Sequence, residues 1–212
     1  MNSPAQPHPE SRDAAQLAAS RATALHGWNG RDPVWVFGYA SLIWRPQLRF
    51  DERVAARVHG YHRQLCLWSV QHRGSPERPG LVAGLDRGGS CTGIAFRIPA
   101  RHVEAEFDQL WQREMSLDEY RAHWLHCRRL AGGAPLRALG FVVRHASPYF
   151  SGRLPEADQV EIVVRAHGRY GSNLEYLEQT VAALRAEGLH DRRLERLAHQ
   201  ARAAMRAAGA TG

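Results

Sequence analysis

The sequence predicts an α+β fold whose sheet curls into a small barrel. Strands come first, a single helix interrupts them at about 99–115, and helices fill the remainder from residue 155 onward. The 212 residues are 44% hydrophobic and 23% charged, enough for a sizeable core and inconsistent with wholesale disorder.

Residues 1–32 form a separate zone, an N-terminal extension expected to be partly helical or disordered. Pro4, Pro7 and Pro9 open it, an Ala-rich helical stretch runs from Ser11 to His26, and Gly27 stops it. No apolar core of a secretory signal is visible, and Glu10 and Asp13 count against an amphipathic presequence. The folded body, 33–212, begins at Pro33. Val34-Trp35-Val36-Phe37 reads as a buried strand running into Gly38-Tyr39-Ala40-Ser41. Arg53–Val70 is β-rich and expected to break near Gly60. A Gly/Pro loop follows from Gln71 to Gly80, then two strands, Leu81–Leu85 and Cys91–Ile98, joined by turn residues Asp86–Ser90.

Val103, Phe107, Leu110 and Trp111 stand at i, i+4, i+7 and i+8, one face of a helix over Pro99–Met115. Strands are expected around His123–Leu130 and Ala138–His145, the second alternating Leu139, Phe141 and Val143. The carboxyl-terminal part reads as helices at Pro155–His167, Ser172–Glu187 and Asp191–Ala208. Ser172 and Glu175 have the spacing of a capping box.

The net charge of +7 suggests a nucleic-acid partner, but the composition argues otherwise. All 28 basic residues are arginine, scattered along the chain, as genomic bias towards Arg and Ala codons would produce. The expectation is no nucleic acid, with a positive field that favours small anionic substrates. No stretch approaches the roughly 18 apolar residues of a membrane span, so no membrane partner is expected. Cys66, Cys91 and Cys127 are an odd count without a C-x-x-C pair, which predicts a reducing cytoplasm rather than a disulfide scaffold or zinc ribbon.

Glu114 is the chemical oddity. It lies eleven residues after Val103, about three helical turns, and so returns to the apolar stripe. Burial and the negative end of the helix dipole both disfavour its ionisation, the conditions for a general base or proton shuttle near neutrality. Pairing with a nearby arginine is the plainer alternative. Gly38-Tyr39-Ala40-Ser41-Leu42 ends a strand in small residues, and such turns can leave backbone N–H groups free to hold an oxygen anion. His72-Arg73-Gly74 offers a cation on a flexible loop, or simply a solvated loop. Gly168–Tyr176 lacks the lysine and spacing of a phosphate loop and reads as a capped helix start, Glu175 serving backbone donors. His123 and Cys127 fall on one strand face and His126 on the other, without a further ligand pair, so no metal site is expected.

Several segments together resemble one family. WVFGYASLIWRP at 35–46, VHGYHRQLCLWSVQHRGSPERPGLV at 58–82, CTGIAF at 91–96, WQREM at 111–115 and GSNLEYL at 171–177 stand in the order of ChaC-type γ-glutamylcyclotransferases. The resemblance covers roughly 33–185. It implies a γ-glutamylcyclotransferase-like fold, a small mixed β-barrel with flanking helices. It also implies a glutathione-directed activity that yields 5-oxoproline and cysteinylglycine without a cofactor. The family's catalytic glutamate falls on Glu114 and its substrate loop on Phe37, Gly38, Tyr39, Ala40, Ser41 and Leu42. Tyr149 matches a tyrosine near the pocket, and Arg73 is a candidate for the glycine carboxylate of glutathione. Ala40 departs from the family's usual glycine; its methyl narrows the pocket or forbids a positive φ, yet the change is small enough for the loop to survive.

Other γ-glutamyl amines or γ-glutamyl amino acids remain alternative substrates, and a non-catalytic binding or regulatory module is the rival from another class. A monomer or weak dimer is expected.

Overall fold

The computed structural model describes residues 11–209; the first ten residues of the N-terminal extension lie outside that range. The chain divides into two units. Among the described residues one comprises 11–63 and Leu85–Ser147, the other Gln64–Gly84 and 148–209.

A closed five-stranded barrel organises the first unit. Its strands are β1 (Val34–Gly38), β2 (Glu52–Ser69), β3 (Gly80–Ile98), β4 (Tyr120–Arg129) and β5 (Leu136–Val143), in the order β1-β3-β2-β4-β5. β1 runs antiparallel to β3, with Phe37 opposite Ala95 and Gly38 opposite Ile94. It closes the barrel by pairing in parallel with β5, Val36 opposite Leu139. β4 and β5 form a hairpin in which Trp124 faces Leu139. The helices of this unit are α1 (Ala14–Ala24), the single turn α2 (Ser41–Trp44) and α3 (Ala100–Glu114).

The α3 stripe closes onto the barrel as its spacing predicts. Val103, Phe107, Leu110 and Trp111 are all buried. Trp111 stacks on Phe107 and meets Phe141 of β5 edge-on, both at 5.7 Å between ring centroids. Each such side chain removed from water contributes on the order of 2–3 kcal/mol, so the position of α3 on the barrel is firmly set.

The second unit carries α4 (Glu156–Arg165), α5 (Asn173–Ala186) and α6 (Arg192–Gly209), the short strands β6 (His167–Gly168) and β7 (Gly171–Ser172), and the remaining ends of β2 and β3. Val163, Leu177, Leu184, Leu197 and Ala201 make its core. Buried Asn173 donates to the Leu81 carbonyl and accepts from the Leu81 N–H, both at 2.7 Å, so a side-chain amide completes the backbone pairing of β3. Ser172 caps α5, accepting from the Glu175 N–H at 3.1 Å.

Two expectations about strands are corrected. β2 does not break at Gly60, and Leu81–Leu85 and Cys91–Ile98 belong to one strand. Gly60, Gly88 and Gly89 do take positive φ, of 83°, 95° and 68°. They redirect long strands without ending them, because β2 and β3 remain neighbours in the barrel and His62 Nδ1 still lies 3.1 Å from the Gly88 carbonyl. On β4, His123 and His126 are exposed and Cys127 is buried. Six helices stand among the described residues, none long and apolar enough to cross a membrane.

Candidate active site

The segment after β1 is held by tight backbone packing. A Cβ on Gly93 would sit 2.3 Å from the Gly38 carbonyl oxygen, so only glycine lets β3 approach the end of β1 this closely. Ala40, by contrast, has a negative φ of −145°, and its side chain is buried. The positive φ that a methyl group resists is therefore not required here. Ala40 precedes α2 and supplies no side-chain cap to its first turn.

Phe37, Tyr39 and Leu42 are packed into the core, and the Tyr39 hydroxyl donates to the Phe141 carbonyl at 2.9 Å. This segment consequently offers backbone, not these side chains, to a ligand. Arg63, which the sequence reading passed over, fixes the backbone's orientation. Its buried guanidinium donates to the Tyr39 carbonyl and, at 2.5 Å, to the Thr92 carbonyl. Across a trans peptide the carbonyl and the next N–H point oppositely, so turning the Tyr39 carbonyl to Arg63 turns the Ala40 N–H the other way.

Glu114 is the last residue of α3, and its side chain keeps 14% of its exposure. Burial pushes its carboxyl above the usual carboxylate range, opposed by the charge and hydrogen bond of Arg113. Arg113 Nε lies 2.9 Å from Glu114 Oε1, so the arginine partner foreseen as the plain alternative exists. It does more than neutralise. The same guanidinium donates to Ser41 Oγ at 3.2 Å and to the Arg45 carbonyl at 2.5 Å. One cation thus ties the acid at the end of α3 to the α2 turn after β1, joining the two candidates that the sequence had set 73 residues apart.

Two further acids were missed. Glu106 is buried on α3, where it accepts the Arg49 N–H at 3.0 Å and pairs with its Nε at 2.5 Å, a satisfied structural arrangement. Glu119 stands just before β4. Burial first, and the nearby Glu114 charge second, push its carboxyl up to about 8. No spacing rule flags Glu119, since it lies in the turn between elements.

The other expected residues lie in the helical unit. Arg73 is buried, and its guanidinium donates to Glu175 Oε2 and the Ser172 carbonyl at 3.2 Å and to Gln179 Oε1 at 3.3 Å. The Glu175 carboxylate therefore serves Arg73 and accepts from Gln179 Nε2 at 3.0 Å, while at the helix start it is the Glu175 N–H that meets Ser172. Tyr149 is buried, and its carbonyl accepts the Trp68 N–H at 2.8 Å. Among the described residues no group of three His, Cys, Asp or Glu side chains is arranged to hold a metal.

The sequence model of the ChaC-like protein family matches residues 34–204. This chain belongs to the ChaC-like family. The ChaC-like chain is 34% identical over 178 residues to a glutathione-specific γ-glutamylcyclotransferase of Escherichia coli strain K12, covering 84% of this chain and 77% of that protein. It is 31% identical over 173 residues to glutathione-specific γ-glutamylcyclotransferase 1 of Mus musculus, covering 79% and 78%. A crystal structure of a yeast γ-glutamyl cyclotransferase specific to glutathione superposes with a TM-score of 0.75 at 22% identity, over 81% of this chain and 96% of that one. That likeness shows the γ-glutamylcyclotransferase-like fold. The family match begins at β1, so α1 of this ChaC-like chain precedes it.

Proposed function

We propose that this chain is a lyase-type γ-glutamylcyclotransferase that releases 5-oxoproline from glutathione, with Glu114 as its proton carrier. The observation that carries the reading is a mostly buried carboxylate, raised above its ordinary range, tied through Arg113 to the α2 turn. The ChaC-like membership and the names of the relatives support glutathione as the substrate.

The α-amine of the γ-glutamyl group attacks its own γ-carbonyl carbon. A C–N bond forms, closing a five-membered lactam, and the bond to the cysteine nitrogen breaks. Because the attack is intramolecular, holding a folded conformer supplies much of the rate. The attacking ammonium nitrogen ends as the lactam N–H and so gives up two protons, while the departing nitrogen needs one to break from the carbonyl carbon and a second to leave as an ammonium. A carboxylate that burial disfavours from ionising and Arg113 still allows to ionise takes a proton from the attacking nitrogen and returns one to the departing nitrogen, which is the role of Glu114. Oxygen charge builds on the carbonyl during attack, and backbone N–H groups between Tyr39 and Leu42 are the donors that meet it. One C–N bond replaces another and two protons pass from the attacking nitrogen to the departing one, so the electrons balance without an oxidant or reductant.

Residues 33–212 form the catalytic domain in this reading and 1–32 an extension. Phe37 and Gly38 place the donor segment, and Ser41 is oriented by Arg113. Arg73, engaged by Glu175 and Gln179, acts by shaping its own loop. Three buried cysteines without a disulfide support a cytoplasmic setting, and burial pushes the Cys127 thiol up to about 12, which keeps it unreactive. Incubating purified protein with glutathione and a panel of γ-glutamyl amines and γ-glutamyl amino acids tests the proposal. Release of 5-oxoproline from glutathione in preference to the panel is expected; turnover of none of them would overturn it.

A further inference from the structure

The segment ahead of the family match does more than lead into it. α1 has an Asp13/Gln16 capping box and no buried residue of its own, so apolar packing does not account for its position. Polar anchors do. Arg21 pairs with Asp108 and donates to the Glu104 carbonyl at 3.3 Å. Ser20 Oγ accepts from Trp111 Nε1 at 3.1 Å, one helical turn before Glu114. The Ala24 carbonyl accepts from Trp124 Nε1 of β4 at 2.9 Å.

The amino end of this segment reaches past α3 to the turn that follows it. The Arg12 N–H donates to the Ser116 carbonyl at 2.7 Å, and the Arg12 guanidinium pairs with Asp118. Asp118 also pairs with Arg144, whose N–H donates to the Glu119 carbonyl at 3.0 Å. The connection from Glu114 to β4 is therefore gripped from two directions. A last helical turn ordinarily frays, because its carbonyls lack partners within the helix. Glu114 is the final residue of such a turn and needs a fixed address to carry a proton.

We infer that Arg12 is a positioning residue for Glu114, clamping the 115–119 turn and thereby holding the carboxyl end of α3 in register with the α2 turn. This inference rests on Glu114 as proton carrier. Arg12 contacts Ser116 and Asp118 rather than the β1–α2 segment and acts only through the position of Glu114, so losing the clamp should lower kcat and spare KM. Misplacing a catalytic group by an ångström costs up to about a hundredfold in rate, and a loosened turn about tenfold.

The test measures kcat and KM for 5-oxoproline release from glutathione by full-length Arg12→Ala, Arg12→Lys and Glu114→Gln, each with a thermal melt. A kcat lower by about tenfold in Arg12→Ala, KM within about twofold, melting well above the assay temperature and substantial recovery in Arg12→Lys are expected. An unchanged kcat in Arg12→Ala, or a loss that only follows a lowered folded fraction, would overturn the clamp while Glu114→Gln stays inactive. Retained turnover in Glu114→Gln would instead overturn the reading beneath it.

Discussion

Arg113 Nε stands 2.9 Å from Glu114 Oε1 while the same guanidinium holds Ser41 Oγ at 3.2 Å. Neighbours in sequence, the two side chains share one task from opposite sides of a charge. Arg113 favours the ionised carboxylate that burial disfavours, leaving the acid raised but still able to ionise.

Removing that cation has a definite sign. Arg113→Met takes away an influence that lowers the Glu114 pKa, so the pKa rises further. The acid limb of the kcat/KM profile, where the carboxylate picks up its proton, should move to higher pH. A pH-rate profile on glutathione checks this, and an unmoved limb would show that the pair does not govern ionisation.

Glu119 links stability to pH. Its folded value of about 8 exceeds the ordinary 4.5, so its protonated form is favoured by folding. The stability this gives is fully present below about pH 4.5 and is lost as pH rises through about 8. Across that window the slope approaches about 1.4 kcal/mol per pH unit for this one group. Glu119→Gln, which cannot ionise, should flatten the dependence. Urea melts of both proteins from pH 5 to about pH 9 measure it; parallel curves would contradict the assignment.

Gly93 is where backbone proximity should be least forgiving. Gly93→Ala puts a methyl carbon 2.3 Å from the Gly38 carbonyl, against backbone that cannot rotate away. A loss of about 2–3 kcal/mol in denaturant unfolding is expected. A change within about 0.5 kcal/mol would mean that β3 yields there.

Much of this architecture was legible because local chemistry and tertiary packing agree. The four-residue stripe of α3 announced both its buried face and the acid returning to it, and the small residues after Phe37 announced a backbone turn. The long strands were not legible in the same way. Gly60, Gly88 and Gly89 carry the local signature of turns, yet partners on neighbouring strands decide that the chain continues. The charges around the site escaped for a related reason. Arg63 alternates on a strand like any surface arginine, and only the closed barrel brings it to the Tyr39 carbonyl. Glu119 looks like a solvated turn residue until the structure places its carboxyl near Glu114.

Glu114→Gln preserves shape and hydrogen-bonding length while abolishing proton exchange. The most direct measurement is 5-oxoproline formed from glutathione by this variant and by the unaltered chain, at matched folded concentration. A loss of at least about a hundredfold is predicted, the scale of general acid–base catalysis by a positioned side chain. Turnover near that of the unaltered protein would contradict the proton-carrier role of Glu114.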